Sequence, residues 1–528
     1  MSVTTPDAIG ALRGSLATRP DDAAILLALG TALWHAGARD ESVLHLLRAS
    51  QIAPLNVDAQ NNLGNALTGL GRHTEAIGAY RAALALAPGL AELHYNLGNV
   101  LHATGDAAAA QACFRRALQL KPGHAGAHNN LGNALRAEGR HAEALACYER
   151  AHALQPGYAG TLNNAASALL ALHRPQEALV HLYRAHTIAP DDPEICNNLG
   201  GALLALDQPQ SAASWFGRAI ARDPNLVQAR FGEGLALLAQ GDCARGWPAY
   251  ESRWQDARFT ADEIPVDAPA WDGATPLAGL RLLLHAEQGL GDTIQFARYA
   301  ALARQRGAHV ILQVQAPLVG LLGGMADEIV AAETAHPACD VHAPLLSLPY
   351  LFQTRLATIP APSPYLHADA PRVAKWQARL GPKRRRRIGI AWSGSADHPD
   401  DAIRSIPPAR MVDRLGALDA ELHLIQKEIA ADAPRDGVIR HDHLLTDFQE
   451  TAALLACLDH IITVDTSVAH LAGAMARPCA VLLQHASDFR WLRDRADSPW
   501  YPGMRLFRQA TPGTWDDVLG AVVRALAG

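Results

Sequence analysis

The stretch "NNLGNAL" occupies residues 61–67 and recurs at a step of 34 residues through the first half of the chain. Its copies are "YNLGNVL" at 95–101, "NNLGNAL" at 129–135, "NNAASAL" at 163–169 and "NNLGGAL" at 197–203. Self-similarity at a step of this size is typical of solenoids, in which each repeat is one supersecondary unit stacked on its neighbours. The stretch therefore predicts an array of helical repeats.

Other positions keep the same step, and each has a physical reason. Small residues recur where two helices cross closely, and prolines recur where a unit ends, because proline cannot continue a helix. The small residues are Gly30, Gly64, Gly98, Gly132, Gly200 and Gly234, with Ala166 in the one gap. The prolines are Pro54, Pro88, Pro122, Pro156, Pro190 and Pro224. Large residues recur between them at Leu46, Tyr80, Phe114, Tyr148, Leu182 and Phe216.

This spacing and pattern resemble the tetratricopeptide repeat over roughly residues 20–254, as six full units and a fading seventh. The resemblance implies an α-superhelix whose concave face is lined by the first helix of each repeat.

Asparagine recurs at two positions of that first helix. The first position holds Asn62, Asn96, Asn130, Asn164 and Asn198, and the second holds Asn65, Asn99 and Asn133. Asparagine costs a helix a few tenths of a kcal/mol or more against alanine, so its repetition requires a reason. One interpretation is that these side chains bridge adjacent repeats. The other is that they bind the backbone of an extended polypeptide, because a carboxamide carries both a donor and an acceptor. The ladder resembles that of the O-linked N-acetylglucosamine transferases, whose repeats hold acceptor polypeptides, and this favours a peptide groove.

Length and composition limit the classes of protein. A chain of 528 residues predicts two to four domains, and its net charge of -6 gives no general reason to expect nucleic acid or an anionic membrane as a partner. The start "MSVTTPDAIGALRG" lacks the features of a signal peptide, and no apolar stretch reaches the ~18 residues of a membrane span. Seven cysteines without CxxC pairs indicate reduced thiols and a cytoplasmic location. The 24 histidines show no metal-ligand spacing, so no metal is expected.

After Trp254 the 34-residue step ends, and residues 255–279 are predicted to be a linker rich in Pro, Asp and Ala. Apolar runs then alternate with helical segments. The predicted strands include "LRLLLHA" (280–286), "HVILQV" (309–314) and "DEIVAA" (327–332), followed from Arg384 by "RIGIAW", "AELHLIQ", "HIITV" and "CAVLL". Such alternation predicts parallel α/β sheets. The predicted organisation is repeats at 1–254, a linker at 255–279, and two small Rossmann-like halves at 280–375 and 384–528.

Three segments stand where such sheets bind ligands, at the carboxyl ends of strands. Gln288–Thr293 brings Asp292 to a strand-to-helix turn, although an acid there also stabilises the helix dipole. In Asp465–His470, Thr466 and Ser467 are expected to cap a helix whose first amides hold a phosphate; the alternative is a plain N-cap with a buried His470. The Ser393–Ser395 loop with Arg404 suits a diphosphate. The glycine loop reads GxGD, a poor match to the dinucleotide fingerprint, and no P-loop motif occurs.

Together "EQGLGDTIQFARY", "RIGIAWSGS…RSIP" and "DTSVAHLAGAMARPCAVLL" resemble the GT-B glycosyltransferases of the ADP-heptose:lipopolysaccharide heptosyltransferase type, over about residues 275–510. They resemble still more the bacterial proteins that join tetratricopeptide repeats to such a domain. The resemblance implies that Asp292 is the general base, that Arg404 binds the donor phosphates and that Asp465 contacts the donor sugar. It also implies a further contact from Gln426, Lys427 or Glu428. The other residues expected to bind the donor are Gly289, Gly291, Ser393, Gly394, Ser395, Thr466, Ser467 and His470.

The leading hypothesis is a cytoplasmic glycosyltransferase that moves a sugar from a nucleotide-sugar donor to a protein acceptor held in the repeat groove. It would be inverting, would use no metal and would need no cofactor besides the donor. One alternative is transfer to a glycan or lipid-linked acceptor, with the repeats only recruiting partners. Against a lipid acceptor, the first α/β half is short and no lipid-docking segment is visible. Another alternative is a scaffold with a decayed transferase domain, and the presence of Asp292, Arg404 and Asp465 argues against it. The aromatic tail "DFRWLRDRADSPWYPGMRLFRQ" (488–509) is expected to shape the donor pocket or to cover the domain interface.

Overall fold

The computed structural model describes residues 6–260, 265–360, 363–395, 398, 400–427, 429 and 436–527. The chain divides into two compact units, Met1–Asn198 and Leu199–Gly528. This division lies before the boundary predicted at residue 254, which stays a prediction. Within the described part of the chain, no helix is both long and apolar enough to cross a bilayer.

The first unit consists of helices in consecutive pairs, as the 34-residue step predicts. Its helices are α1 (Pro6–Thr18), α2 (Ala23–His35), α3 (Arg39–Ile52), α4 (Val57–Gly69), α5 (His73–Leu86), α6 (Ala91–Ala103), α7 (Ala107–Leu120), α8 (Ala125–Ala137), α9 (His141–Leu154), α10 (Ala159–Ala171), α11 (Pro175–Ile188) and the start of α12 (Pro193–Ala205). The turn inside a pair requires a left-handed residue, which glycine adopts without strain. Gly37, Gly71, Gly105 and Gly139 fill it with φ between 74° and 86°.

The recurring small residues lie where the two helices of a pair cross. A Cβ on Gly64 would come within 2.7 Å of the Tyr80 ring, and one on Gly98 would come within 2.7 Å of Phe114. These distances leave no room for a side chain, so the predicted reason for the small residues is confirmed.

The second unit begins with the last repeat helices, α13 (Pro209–Arg222), α14 (Val227–Ala239) and α15 (Cys243–Tyr250), followed by a 3-10 helix (Glu251–Gln255) and α16 (Ala257–Thr260). Trp247 and Tyr250 of α15 are buried in the same apolar core as Phe296 and Phe489 of the α/β region. The seventh helix pair is therefore complete, and it shares the core of the α/β region.

The first sheet is parallel and has four strands in the order β3-β2-β1-β4. Its strands are β1 (Arg281–His285), β2 (His309–Val314), β3 (Glu328–Ala331) and β4 (Val341–Pro344). The helices of this part are α17 (Leu290–Phe296), α18 (Tyr299–Gln305), α19 (Ala316–Val319), α20 (Leu348–Leu351) and α21 (Ala370–Leu380). Part of the predicted linker lies along β4, because the Trp271 amide donates to the His342 carbonyl at 2.8 Å.

The second sheet is parallel and has six strands in the order β10-β9-β8-β5-β6-β7. Its strands are β5 (Arg386–Ala391), β6 (Ala420–Leu424), β7 (Ile439–Arg440), β8 (His460–Val464), β9 (Cys479–Leu483) and β10 (Met504–Arg508). Its helices are α22 (Asp401–Arg404), α23 (Pro408–Leu415), α24 (Phe448–Ala456), α25 (Ser467–Ala474) and α26 (Trp515–Ala527).

Both sheets follow the strand order of dinucleotide-binding folds. Numbered from its own first strand, the first sheet reads 3-2-1-4 and the second reads 3-2-1-4-5-6. The predicted fold, a helical solenoid followed by two Rossmann-like halves, is confirmed. The order reverses between β1 and β4 and between β5 and β8, and ligands of open α/β sheets bind at such reversals, beyond the carboxyl ends of the strands. The three predicted site segments follow β1, β5 and β8.

Candidate active site

The glycine loop holds Asp292 in the first turn of α17. Its Oδ2 accepts a hydrogen bond from the Gly289 amide at 3.1 Å, which closes the start of the helix. Its Oδ1 accepts from Nη2 of Arg490 at 2.5 Å. The carboxylate therefore accepts a free amide at the start of α17, and it also forms an ion pair with Arg490 of the second α/β half.

Arg490 was not identified from the sequence. It lies in the 3-10 helix Phe489–Trp491 after β9, with its guanidinium 4.5 Å from the centre of the Phe489 ring and with Nη1 bonded to Asp488 at 2.8 Å. Burial raises the pKa of Asp292, and the Arg490 charge opposes this rise. The only sequence signal for Arg490 is its place in the aromatic tail, whose predicted role was to shape the pocket or cover the interface.

The β8–α25 turn carries Asp465, Thr466 and Ser467. Thr466 occupies the N-cap position, but no side chain caps α25, and the Thr466 hydroxyl pairs instead with Thr463 Oγ1 at 3.3 Å. The prediction that Thr466 and Ser467 cap the helix is therefore wrong, because the Thr466 hydroxyl is directed at Thr463 at the end of β8 and no first-turn amide donates to it. The first-turn amides are thus left without a side-chain acceptor, and such amides bind anions.

Arg404 connects the two loops that flank the reversal of the second sheet. Its guanidinium lies directly over Gly394, where any side chain would collide with it. Its Nη1 donates to the Asp465 carbonyl at 3.3 Å, and its side chain is only 14% exposed. The Ser393–Ser395 loop, Arg404 and Asp465 therefore lie together, as a diphosphate site requires.

Gln426 supports the loop after β5. Its Oε1 accepts from the amides of Trp392 and Ser393, both at 3.2 Å, and its Nε2 donates to the Ser393 hydroxyl at 2.6 Å. Of the other two candidates for a further donor contact, Lys427 is exposed at the end of β6, and Glu428 lies outside the described residues.

The two α/β halves meet where α17 and α25 begin. A Cβ on Gly291 would come within 2.8 Å of His470 Cδ2 and 3.4 Å of Ser467 Cα, so glycine is required for this approach. His470 is buried, its Nδ1 lies 3.0 Å from the Tyr501 hydroxyl, and its ring stacks on Trp491. Burial lowers the pKa of His470 to about 3, so the ring is neutral and packs between the halves.

The charges of the two halves act on one another. Burial raises the pKa of Asp465 to about 6, with a further contribution from Asp488, while Arg404 and Arg490 oppose the rise. Asp488 also raises the pKa of Asp292. Perturbed carboxyl groups with arginines at a sheet's carboxyl edge are typical of active sites. Among the residues that the structure describes, no group of three or more His, Cys, Asp or Glu could hold a metal ion.

The asparagine ladder forms hydrogen bonds between adjacent repeats. Asn96 Nδ2 donates to Oδ1 of Asn61 and of Asn65, at 3.1 and 3.3 Å. The same bridge recurs from Asn62 to Thr31, from Asn130 to Asn99 and Tyr95, from Asn164 to Asn129, and from Asn198 to Asn163 and Ser167. The interpretation that these residues bridge repeats is thus observed directly.

The bridges leave other atoms of the ladder unused. Asn65 and Asn133 also accept from the hydroxyls of Tyr80 and Tyr148, at 2.7 and 2.8 Å. In the described part of the chain, the Nδ2 groups of Asn65, Asn99 and Asn133 then donate to no protein atom, and Oδ1 of Asn62, Asn96 and Asn164 accepts from none. A peptide bond could pair with both kinds of atom, because its carbonyl accepts from an Nδ2 group and its amide donates to an Oδ1 atom.

Comparisons with known proteins agree with both halves of the sequence analysis. Tetratricopeptide-repeat families match residues 5–54, 64–105, 95–159 and 169–241. The family described as glycosyltransferase family 9 (heptosyltransferase) matches residues 445–491, which include the β8–α25 turn and Arg490.

Among curated proteins, the chain is 28% identical over 349 residues to Protein FlbA of Caulobacter vibrioides. The alignment covers 57% of this chain and 55% of that protein, so the chain spans about half the length of this relative.

Among solved structures, the APC/C hetero-tetramer Cut9–Hcn1 is 20% identical with a TM-score of 0.39, covering 43% of this chain and 45% of that one. The type IV pilus biogenesis factor PilW is 19% identical with a TM-score of 0.37, covering 39% and 96%. The chain thus carries tetratricopeptide repeats within residues 5–241, and after them residues 445–491 are similar to glycosyltransferase family 9.

Proposed function

We propose that this protein is a glycosyltransferase that moves a sugar from a nucleotide-sugar donor to a protein acceptor held by the repeats. One observation carries the proposal. The start of α17, with Asp292, packs against the start of α25, with Asp465 and Arg404 beside it, at the strand-order reversal of both sheets. The family 9 match over this turn supports the transferase class.

The donor diphosphate would lie between the first turn of α25 and Arg404. The uncapped amides of Ser467 and Val468 and the Arg404 guanidinium are all donors, and both kinds of group bind phosphate oxygens well. The same donors would stabilise the negative charge that develops on the leaving diphosphate. Transfer therefore needs no metal in this proposal.

Asp292 would act as the general base toward an acceptor hydroxyl. Its raised pKa makes it a stronger base than an ordinary aspartate. Each of its oxygens makes one hydrogen bond, and a carboxylate oxygen accepts about two, so a lone pair stays free on each. A single displacement assisted by one base inverts the anomeric centre.

The acceptor would lie along the asparagine ladder. The inter-repeat bridges fix the orientation of each carboxamide, and the unused Nδ2 and Oδ1 atoms can then bind peptide groups of any sequence. Fixed side chains lose little entropy on binding, which favours a ladder over free asparagines.

The first experiment identifies the donor. The purified full chain is titrated with UDP, GDP, ADP and CMP and with their sugar conjugates, and its thermal unfolding is followed. A ligand at 100 times its dissociation constant adds about 2.7 kcal/mol of stability. One base class should stabilise the protein. No shift with any nucleotide at millimolar concentration would overturn the proposal and favour a non-catalytic scaffold.

The second experiment identifies the acceptor class. The sugar-labelled donor is incubated with the protein and a heated extract of its source cells. Label that is released by protease and not by lipid extraction supports a protein acceptor, and label in the lipid fraction supports the lipid-linked alternative. Asn96→Ala/Asn164→Ala, which removes two of the unused Oδ1 atoms, should reduce labelling of protein and leave nucleotide binding unchanged.

A further inference from the structure

We infer that the end of the last repeat positions the catalytic loop, with Arg253 and its partner Glu287 as positioning residues for Asp292. This inference rests on the proposed function, since it assigns Asp292 the role of base. It concerns residues 199–528 only, within which the last repeat helices and both sheets form one compact unit.

Arg253, in the 3-10 helix after α15, has every hydrogen-bond donor occupied. Its Nε and Nη2 donate to the two carboxylate oxygens of Glu287 at 3.0 and 3.1 Å. Its Nη1 donates to Glu251 at 2.6 Å and to the Tyr250 carbonyl at 3.4 Å, and its Nη2 also donates to the Ser347 hydroxyl at 2.8 Å. The side chain is 0% exposed, so the repeat end and the α/β region are joined by a buried fork.

Glu287 lies in the loop that leads to Asp292. It follows β1 by two residues, and Gln288 and Gly289 separate it from α17. Its Oε1 also accepts from the Leu346 amide after β4 at 3.0 Å. Glu287 thereby fixes the loop at both strands that flank the reversal of the first sheet. The Asp292 carboxylate is bonded back to Gly289, so the position of the loop sets the position of the base.

The same repeat segment also supports the partner of Asp292. The rings of Trp247 and Tyr250 lie 5.7 and 5.8 Å from Phe489, the residue before Arg490. The Arg490 guanidinium lies over the Phe489 ring and pairs with Asp292. One segment, Trp247–Arg253, therefore supports both sides of the Asp292–Arg490 ion pair.

Glu287 and Arg253 lie outside the site proposed for the nucleotide-sugar donor. Among the residues that the structure describes, Glu287 and Arg253 form no hydrogen bond or ion pair with the β5 loop or the β8–α25 turn, which carry the proposed phosphate donors. Changing them should therefore alter the placement of the base and leave the nucleotide site intact. Misplacement of a reacting group by about 1 Å can cost about 100-fold in rate.

The test uses the full chain with Glu287→Gln and Arg253→Lys. Lysine keeps the charge of Arg253 but cannot form the two parallel hydrogen bonds to Glu287. Glutamine keeps the shape of Glu287 and loses its charge. Arg387→Lys is the matched control, because Arg387 is 6% exposed and pairs with Glu421 at the opposite end of the second sheet. We measure hydrogen exchange of residues 286–293 and 460–475, nucleotide affinity, kcat and its pH dependence.

In Glu287→Gln and Arg253→Lys, exchange in 286–293 should accelerate at least ~10-fold and kcat should fall about 10- to 100-fold, with nucleotide affinity within about 3-fold of wild type. The acid limb of the pH profile should move upward, because an arginine within ~4–6 Å lowers a carboxyl pKa by about 1–3 units and its hold on Asp292 is loosened. Arg387→Lys should change none of these.

Two outcomes separate this inference from the proposed function. If the wild type transfers no sugar from any donor, the proposed function fails, and the exchange data alone then judge whether Glu287 and Arg253 fix the loop. If the wild type is active and both folded variants keep kcat within about 2-fold and the wild-type exchange pattern, the positioning role is overturned and the transferase stands. Should Arg253→Lys not fold, Glu287→Gln decides by the same readouts.

Discussion

Asp465→Asn should stabilise the protein, and the gain should grow as pH rises from 3.8 to about 6. The pKa of Asp465 is about 6 in the folded protein against 3.8 for an ordinary aspartate, chiefly because of burial. Between these values the folded protein holds a proton that the unfolded chain has released. Stability therefore falls as pH rises through this window, and the loss is complete above the folded pKa.

The size of the effect follows from the width of the window. The difference between about 6 and 3.8 is about 2.2 units, which corresponds to about 3 kcal/mol at 1.36 kcal/mol per unit. Because Asp465 keeps some solvent exposure, this figure is an upper value. Asparagine cannot ionise, so the variant escapes the cost at neutral pH and gains nothing below pH 3.8, where Asp465 is protonated in both the folded and the unfolded chain.

The assay is chemical denaturation of both proteins at several pH values between 4.5 and 7.5, followed by tryptophan fluorescence. Nine of the ten tryptophans lie in residues 199–528, so the signal reports mainly on the unit that contains Asp465. The free energy of unfolding of Asp465→Asn should exceed that of wild type by up to about 3 kcal/mol at pH 7.5 and by only about 1 kcal/mol at pH 4.5, which lies close to the unfolded pKa.

A control of opposite sign is available at the surface of the same sheet. Arg410 and Arg414 lower the pKa of Asp516 to about 2, so Asp516→Asn should destabilise the protein at neutral pH, with the loss disappearing as pH falls toward 2. A difference between wild type and Asp465→Asn that is constant across the pH range would refute the burial argument for Asp465.

Four further predictions concern the site. Asp292→Asn should bind nucleotide as the wild type does and lose about 10²–10⁴-fold in turnover, measured as nucleotide release in the presence of acceptor. Gly291→Ala should cost about 1–3 kcal/mol in denaturation experiments, because its Cβ would press on the buried His470 ring. Arg404→Ala should weaken nucleotide binding about 10- to 100-fold by calorimetry, as expected for the loss of a charged hydrogen bond, whereas the surface variant Arg410→Ala should not. Addition of EDTA should leave the wild-type affinity unchanged.

The solenoid could be predicted because its sequence signals lie within each 34-residue unit and recur in every unit. A step of 34 residues brings Asn96 opposite two residues of the preceding repeat, Asn61 at a separation of 35 and Asn65 at a separation of 31. The sequence alone left two interpretations of this asparagine, bridging between repeats or binding of a peptide. The structure shows the bridge, and the atoms that the bridge leaves unused keep the peptide hypothesis open to test.

The missed parts of the site depend on contacts between distant residues. Arg490 pairs with Asp292 across 198 positions of sequence, and no motif around Arg490 indicates this pairing. The β4 strand of four residues and the β7 strand of two are too short to show a hydrophobic period. The capping error at Thr466 has a local origin, because its hydroxyl pairs with Thr463, three positions earlier at the end of the preceding strand.

The contact between the last repeat and the α/β region is a feature that sequence periodicity does not reveal. The step of 34 ends near Trp254, so the sequence indicates a linker there and a separate domain after it. In the structure, Tyr250 and Arg253 of the last repeat are buried against Phe489 and Glu287 of the α/β region. A chain beginning at residue 280 would leave the Glu287 carboxylate buried without its cation, and breaking a buried pair in this way costs about 3–5 kcal/mol. Any account of the repeats as a detachable recruiting module must therefore exclude the last of them, which shares the core of the α/β region.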